Sequence, residues 1–195
     1  MIQLFFLNAI NGIFTRFGKP TLPLDVLKKR FGQPWTRIYR QAGISEAMAS
    51  KKRLYEIYNE LYLSQPPALP FSDLKPTLEW LRDKNIILAV VSTQQNNITL
   101  LLFRYYALDS FFSHFEDAVS NKTRALRKIF NLFEVKPEGA AYIGDQEGDI
   151  IHAKKAGCAS IGFDRGLYSV ERLMRAWPDF LIHHYSEMKK LPIFD

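Results

Sequence analysis

The stretch Ala140–Asp149, which reads Ala-Ala-Tyr-Ile-Gly-Asp-Gln-Glu-Gly-Asp, constrains the fold of this chain more than any other segment. Its first four residues form an apolar run entered from turn-forming residues, which is typical of a short buried strand. Gly144 then permits a sharp turn, and Asp145 and Asp149 follow it at a spacing of four, before a predicted helix over 150–156. The pattern predicts one carboxylate at the carboxyl end of a strand and a second near the start of the next helix.

Two carboxylates in this position are typical of a metal site. Open α/β sheets bind their ligands at the carboxyl edge, and carboxylate oxygens suit a hard cation such as Mg2+. The alternative is structural, with Asp149 as the N-cap of the helix and Asp145 as a turn residue. The stretch taken alone favours neither interpretation over the other.

Strands and helices alternate from about residue 71 onward, which predicts an α/β fold with a mostly parallel, doubly wound sheet. The apolar run Ile2–Leu7 is predicted as the first strand of this sheet, with Asn8–Gly12 as the loop at its carboxyl end. The later predicted strands are 86–91, 118–119, 140–143, 160–163 and 180–182, and the predicted helices are 72–83, 96–106, 121–133 and 150–156.

The segment 15–70 interrupts the alternation with helical patterns only. A proline-rich run at its end breaks any regular structure. The sequence therefore predicts an α/β core formed by residues 1–14 and 71–195, with a small all-helical cap, residues 15–70, inserted after the first strand. The predicted cap helices are 23–31, 34–41 and a longer one that Ser45 caps.

Composition narrows the class of protein further. Hydrophobic residues make up 47% of the 195 residues, which is enough for a sizeable core. The net charge of +6 comes from scattered Lys and Arg residues, a pattern that favours solvated helix faces over a nucleic-acid interface. The single cysteine, Cys158, excludes an intramolecular disulfide and suits a reducing compartment. No run approaches the ~20 apolar residues of a membrane-spanning helix, so we expect a cytoplasmic protein that does not contact membranes.

Several loops are expected to meet at the carboxyl edge of the predicted sheet. One of them is Asn8–Gly12, and the others carry the hydroxyls of Ser92 and Thr93, the ammonium of Lys122, and the carboxylates of Asp145 and Asp149. Hydroxyl donors and the compact charge of a lysine suit phosphate oxygens. We therefore predict a phosphate-binding site formed by the hydroxyls and the lysine, beside a Mg2+ site formed by the two aspartates.

In this order, the segments resemble the motifs of haloacid dehalogenase (HAD)-like hydrolases, in particular phosphoglycolate phosphatase-like members with a helical cap. The strand that ends in Ser92 resembles the second motif, Lys122 at a helix start resembles the third, and Gly144-Asp145-x-x-x-Asp149 resembles the fourth. The helical insertion lies where such members carry their cap. The resemblance covers nearly the whole chain and implies a Rossmann-like fold, Mg2+-dependent phosphatase chemistry and a cap that shapes the substrate pocket.

The first motif departs from the family pattern, which reads Asp-x-Asp-Gly-Thr-Leu. Aligned on Gly12, the chain has Ala9 at the position of the nucleophilic Asp and Asn11 at the position of the acid/base Asp. A methyl group cannot attack phosphorus, and an amide cannot transfer a proton as a carboxylic acid does. Mg2+ would also lose one anionic ligand and bind more weakly.

Three functional hypotheses follow. The first is a degenerate relative that keeps a phosphate- and Mg2+-binding pocket with little or no phosphomonoester hydrolysis, because Ala9 and Asn11 replace the reactive acids. The second is an active Mg2+-dependent, phosphoglycolate phosphatase-like hydrolase of a small phosphorylated metabolite, supported by the intact later motifs. The third is a protein that binds partners through its basic surface. The expected partner is a small phosphorylated molecule or an unidentified protein, and nucleic acid is not expected.

Overall fold

A computed structural model describes residues 2–32, 34–94, 98–166 and 168–194, and every structural statement below concerns these residues. The chain forms two compact units, Met1–Leu69 and Pro70–Asp195. None of the helices in the described part of the chain has the length and apolar character needed to cross a membrane.

The first unit is all-helical. Its longest helix, α1, packs against its last, α4, and Gly12 allows the close approach, since a Cβ there would lie 2.7 Å from Cδ1 of Leu61. The side chain of Ser50, rather than that of Ser45, caps α4 by accepting the Arg53 N–H at 3.2 Å. The helices are α1 (Ile2–Arg16), α2 (Leu24–Arg30), α3 (Arg37–Gln41) and α4 (Lys51–Leu63).

The prediction that Ile2–Leu7 forms the first strand of the sheet is wrong, because these residues begin α1. The predicted loop Asn8–Gly12 is helical as well, and residues 1–14 group with the helical unit instead of the α/β unit. Short apolar runs are ambiguous between strand and buried helix, and the continuation of the run decides between them. Here the fully buried residues continue at helical spacing: Ala9, Ile10, Ile13 and Phe14.

The second unit confirms the predicted α/β class with parallel strands. Strand β1 (Ala89–Val91) pairs with β2 (His114–Glu116) in one sheet. Strands β3 (Ala141–Gly144), β4 (Ala159–Phe163) and β5 (Phe180–Ile182) form a second sheet in that order. All of these pairs are parallel.

Helices connect the parallel strands, as crossover connections require. The α-helices of this unit are α5 (Leu74–Asp83), α6 (Ile98–Tyr105), α7 (Lys122–Leu132), α8 (Glu147–Ala156) and α9 (Val170–Met174). Short 3-10 helices cover Asp109–Phe111, Pro137–Gly139, Tyr185–Lys190 and Pro192–Phe194.

The predicted strand 118–119 is wrong, because the strand lies earlier, at His114–Glu116. Ala118 has a φ of 58° and breaks the extended backbone. The loops after β1 and β2 nevertheless stay bonded to each other beyond the strand ends. The Val119 N–H donates to the carbonyl of Ser92 at 3.0 Å, and the Ser92 N–H donates to the carbonyl of Glu116 at 2.9 Å.

Apolar side chains between α7 and α8 form one core of this unit. Cys158 lies in that cluster, as the sequence predicted for a buried thiol, and burial raises its pKa to about 11. The buried members are Leu126, Phe130, Ala153, Ala156 and Cys158. A second cluster contains Leu81, Ile161, Phe163, Ile182 and Met188.

Asn11 holds the segment that follows α1. Its Nδ2 donates to the carbonyl of Leu22 at 2.9 Å, and its Oδ1 accepts the Leu22 N–H at 2.8 Å. These two bonds satisfy the N–H and the carbonyl of Leu22, which would otherwise be partly buried without partners. Asn11 therefore has a structural role inside the helical unit.

We expect Asn11→Ala to lower the free energy of unfolding by about 1–3 kcal/mol, because it leaves two partly buried backbone groups unsatisfied. Asn8→Ala on the same helix is the matched control. Asn8 is exposed and donates to the side chain of Gln65 at 3.2 Å, so its removal should cost less than about 0.5 kcal/mol. Urea unfolding followed by circular dichroism measures both, and equal losses for the two variants would contradict the role given to Asn11.

Candidate functional site

The motif Gly144–Asp149 lies at the carboxyl end of β3, where the sequence placed it. Gly144 is the last residue of the strand, and a Cβ on it would lie 2.1 Å from the Cβ of Asp149. Only glycine lets the first turn of α8 fold back this closely over the strand end. The glycine therefore positions the second carboxylate of the motif.

Asp149 lies in the first turn of α8 and is 4% exposed. It is not the N-cap of α8, because Gln146 occupies that position. Its Oδ2 accepts the Gln146 N–H at 3.1 Å, and its Oδ1 accepts from Nζ of Lys122 at 2.6 Å. Both carboxylate oxygens thus have protein partners, and a direct metal contact by Asp149 stays a prediction.

Lys122 is the first residue of α7, directly after the N-cap Asn121. Its Nζ also lies 5.7 Å from the ring centroid of Tyr142, within the range of a cation–π contact. Burial alone would lower the pKa of Lys122, but the attraction of the Asp149 carboxylate outweighs it and holds that pKa above its usual value. The side chain is therefore a fixed positive charge at neutral pH.

Tyr142 connects this charge to the other sheet. Its hydroxyl donates to the carbonyl of Val91, the last residue of β1, at 3.4 Å. Burial raises the pKa of Tyr142 to about 12, although the nearby Lys122 charge opposes the shift. The neutral phenol therefore spans from Lys122 to the carboxyl end of β1, where Ser92 follows.

Ser92 is held in place immediately after β1. Its Oγ accepts the Gln94 N–H at 3.1 Å and lies 3.1 Å from Oγ1 of Thr99 on α6. The side chain of Thr93, by contrast, is exposed. The structure thus fixes the hydroxyl of Ser92 at the strand end and leaves that of Thr93 at the surface.

Asp145 directly follows β3 and lies against the loop after β4. A Cβ on Gly166 in that loop would lie 2.0 Å from the Cβ of Asp145, so only glycine fits there. In the described part of the chain, no group of three or more His, Cys, Asp or Glu side chains is arranged to hold a metal. Mg2+ is usually bound through one or two carboxylates, with substrate phosphate and water completing its shell. Asp145 fits that pattern as a carboxylate ligand.

Ala9 and Asn11 do not lie in a loop that follows a strand. Both lie within α1, where Ala9 is fully buried and Asn11 is bonded to Leu22. Their placement in a loop at the sheet edge, predicted by the alignment on Gly12, is wrong. The alignment assumed a strand over Ile2–Leu7, and these residues begin α1 instead.

Sequence reasoning missed four residues around the site. Gly166 lies in a segment for which no structure was predicted from the sequence, and Tyr142 was predicted only as part of a strand. Asp117 was missed because the strand was predicted after it, although it follows β2. Thr99 lies in the first turn of α6, seven residues along the chain from Ser92, and no sequence pattern links the two.

Comparison with known proteins agrees with this architecture. Residues 3–163 match the family described as haloacid dehalogenase-like hydrolase. A phosphoglycolate phosphatase of Mannheimia succiniciproducens is 23% identical over 94% of this chain and 88% of its own length. A phosphoglycolate phosphatase of Pasteurella multocida is 22% identical over 92% and 87%. A haloacid dehalogenase-like hydrolase of Streptococcus pneumoniae has a similar fold, with a TM-score of 0.84 at 19% identity over 96% of this chain and 90% of that one.

We expect Gly144→Ala to lower the free energy of unfolding by about 1–3 kcal/mol, because the new methyl group would overlap Asp149. Gly148→Ala in the same motif is the control, since a Cβ there meets nothing within 4 Å. That variant should match the wild type or gain up to about 1 kcal/mol, because alanine favours the helix over glycine. Urea denaturation compares the three proteins, and an unchanged stability of Gly144→Ala would contradict the packing argument.

Asp149→Asn should lower the free energy of unfolding by about 3–5 kcal/mol, because it leaves the Lys122 charge buried without its partner. The asparagine oxygen still accepts the Gln146 N–H, so the change isolates the ion pair from the cap. Combining it with Lys122→Met should restore much of the stability.

The pH dependence of the same pair has a defined sign. The folded pKa of Lys122 lies above its unfolded value. The stabilisation should therefore be complete below the unfolded pKa of about 10.4 and be lost as the pH rises through the folded one. Additive losses in the double variant, or a stability that does not fall in alkali, would contradict the pairing.

Proposed function

The chain belongs to the haloacid dehalogenase-like hydrolase family, and on that basis we propose that it binds a small phosphorylated molecule with Mg2+ and hydrolyses phosphomonoesters little or not at all. The observation that carries the binding part is the buried ammonium of Lys122, held 2.6 Å from Asp149 at the carboxyl end of β3. The residues proposed to bind the phosphate are Ser92 and Lys122, and Asp145 is proposed to bind the metal.

The donors around Lys122 support phosphate binding. An ammonium has three N–H donors, and Asp149 takes one of them, which leaves donors for an anion. Lys122 is also the first residue of α7, an eleven-residue helix whose N-terminus favours negative charge. Tyr142 links this lysine to the strand end that precedes Ser92. The Ser92 hydroxyl is therefore proposed as the second donor for an anion that binds Lys122.

Asp145 supports the metal part of the proposal. It is the motif carboxylate that is not paired with Lys122, and it lies directly after β3. When bound, Mg2+ would neutralise part of the phosphate charge and orient the phosphate. The role of Asp145 is to supply an anionic oxygen for that ion, while Asp149 keeps Lys122 in place.

The low rate of hydrolysis follows from the side chains available for attack. The reaction implied by the family needs a carboxylate that attacks phosphorus and forms a covalent intermediate. Ala9 and Asn11 carry no carboxylate, and both are engaged inside the helical unit. Using Asp145 or Asp149 as the nucleophile would remove the metal ligand or the partner of Lys122. Binding that is equally strong in the ground state and the transition state does not accelerate the chemical step.

A second candidate function is Mg2+-dependent hydrolysis of a small phosphorylated metabolite such as phosphoglycolate. The similarity to phosphoglycolate phosphatases over nearly the whole chain favours it. The identity of 23% to the first of them leaves the substrate open. This function would require a nucleophile other than the residues aligned with the first motif.

Calorimetric titration with inorganic phosphate at saturating Mg2+ tests the binding site. Lys122→Met combined with Asp149→Asn should weaken binding by about ten- to hundredfold, because a charged hydrogen bond contributes roughly 1.5–3 kcal/mol. Lys128→Met on the same helix is the matched control. Lys128 pairs with Glu116 at 2.9 Å and is exposed, so its removal should leave the affinity unchanged. Equal losses in both proteins would indicate general charge attraction and contradict the site.

The same wild-type preparation, assayed with a panel of phosphomonoesters at high Mg2+, should show no turnover above the blank. Asp145→Ala provides the reference for that blank. Robust hydrolysis by the wild type that Asp145→Ala abolishes would contradict the proposed function and support the second candidate.

A further inference from the structure

A chain of three polar side chains runs from the end of β1 to the end of β2. Oγ of Ser92 lies 3.1 Å from Oγ1 of Thr99, and the Thr99 hydroxyl in turn acts on the carboxyl group of Asp117, whose pKa it lowers. Thr99 belongs to the first turn of α6, and Asp117 directly follows β2. Backbone hydrogen bonds between the two loops, described above, hold Ser92 and Asp117 in register. These three polar side chains therefore come from three different segments of the fold.

Counting hydrogens along this chain shows that its direction depends on Asp117. Each hydroxyl has one hydrogen to donate. If Asp117 is ionised, it only accepts, so Thr99 donates to it and Ser92 must donate to Thr99. If Asp117 is protonated, it donates to Thr99, and Thr99 donates to Ser92. The two lone pairs of Ser92 then accept from Thr99 and from the Gln94 N–H, and its own hydrogen is free for another acceptor.

The surroundings of Asp117 make its ionised form more costly than it is in water. Its Oδ1 is buried and has no hydrogen-bond partner within the described ranges. An unpaired carboxylate oxygen in such a place costs more than the carbonyl oxygen of a neutral acid. Burial accordingly raises the pKa of Asp117, and the bond from Thr99 offsets only part of the shift.

Charged groups on the neighbouring elements are engaged with one another. On β2, Glu116 pairs with His114 and with Lys128 of α7. Arg104, the charged residue of α6, pairs with Asp109, and Lys122 at the start of α7 pairs with Asp149. Burial and the Thr99 bond are the causes that act on Asp117 among the described residues. Its protonation is therefore set by its burial and by this hydroxyl chain.

We propose that Asp117 is a positioning residue for phosphate binding: when protonated it releases the Ser92 hydroxyl to donate to a phosphate oxygen, and when ionised it turns that hydroxyl toward Thr99. The inference rests on the proposed function, in which Ser92 binds phosphate. It adds a pH dependence that the binding residues alone do not supply. Affinity for a phosphate-like anion rises as the pH falls through the titration of Asp117.

Sulfate is the suitable probe, because it stays a dianion from mildly acidic to neutral pH and so does not titrate itself. Calorimetry on the full chain compares the wild type with Asp117→Asn, whose amide donates to Thr99 at every pH. At neutral pH the variant should bind sulfate about tenfold more tightly, the value of one hydrogen bond to a charged group. The difference should disappear as the pH falls. Other acids near the site titrate in both proteins, so the difference isolates Asp117.

Thr99→Val provides a second route should Asp117→Asn not fold. It removes the acceptor that competes for the Ser92 hydrogen, so it should also give tight binding at neutral pH. In a Ser92→Ala background, neither change should affect affinity. A structural effect of Asp117 or Thr99 would persist in that background and would overturn the inference.

The remaining outcomes separate the inference from the proposed function. If Ser92→Ala weakens sulfate binding while the wild type, Asp117→Asn and Thr99→Val bind equally at neutral pH, the inference is wrong and the phosphate site stands. If sulfate does not bind, or if Ser92→Ala and the Lys122→Met, Asp149→Asn double variant leave its binding unchanged, the proposed site is wrong and the inference fails with it.

Discussion

The ion pair between Lys122 and Asp149 is the interaction on which the rest of the site depends. Both side chains are largely buried, with 16% and 5% of their surface exposed, so neither charge is tolerated without the other. Gly144 permits the contact by leaving room for Asp149. Additional bonds between the same helices hold its geometry: Oγ1 of Thr123 lies 2.8 Å from Nδ1 of His152, and Nη2 of Arg127 donates to the carbonyl of Lys155 at 2.6 Å.

A site built in this way is suited to holding an anion. Its positive charge comes from a lysine whose protonation is fixed by its partner, and its hydroxyl donor is fixed by a backbone N–H and by Thr99. These groups are positioned before a ligand arrives, so binding does not have to order them. Attack on phosphorus requires a further group, and the residues aligned with the first motif do not provide it. In the proposed function, binding and chemistry thus depend on different parts of the chain.

The sequence predicted those features that depend on a few adjacent residues. The turn at Gly144, the carboxylates after it and the lysine at the start of α7 are local patterns, and each lies where it was expected. The run Ile2–Leu7 was misread because a short apolar segment fits a strand as well as a helix until its tertiary partners are known. In the same way, the left-handed backbone of Ala118 placed the end of β2 earlier than its composition indicated. The row of polar side chains Ser92, Thr99 and Asp117 joins three separate segments, so no local sequence pattern predicts it.

A crystal structure of the full chain with tungstate and Mg2+ would show whether Lys122 and Ser92 together bind a phosphate-like anion. We expect tungstate within hydrogen-bond distance of both Nζ of Lys122 and Oγ of Ser92, with Mg2+ bound to the carboxylate of Asp145 and the Lys122–Asp149 pair intact. Tungstate bound only to exposed Lys or Arg side chains, with Lys122 and Ser92 contacting protein groups alone, would contradict it.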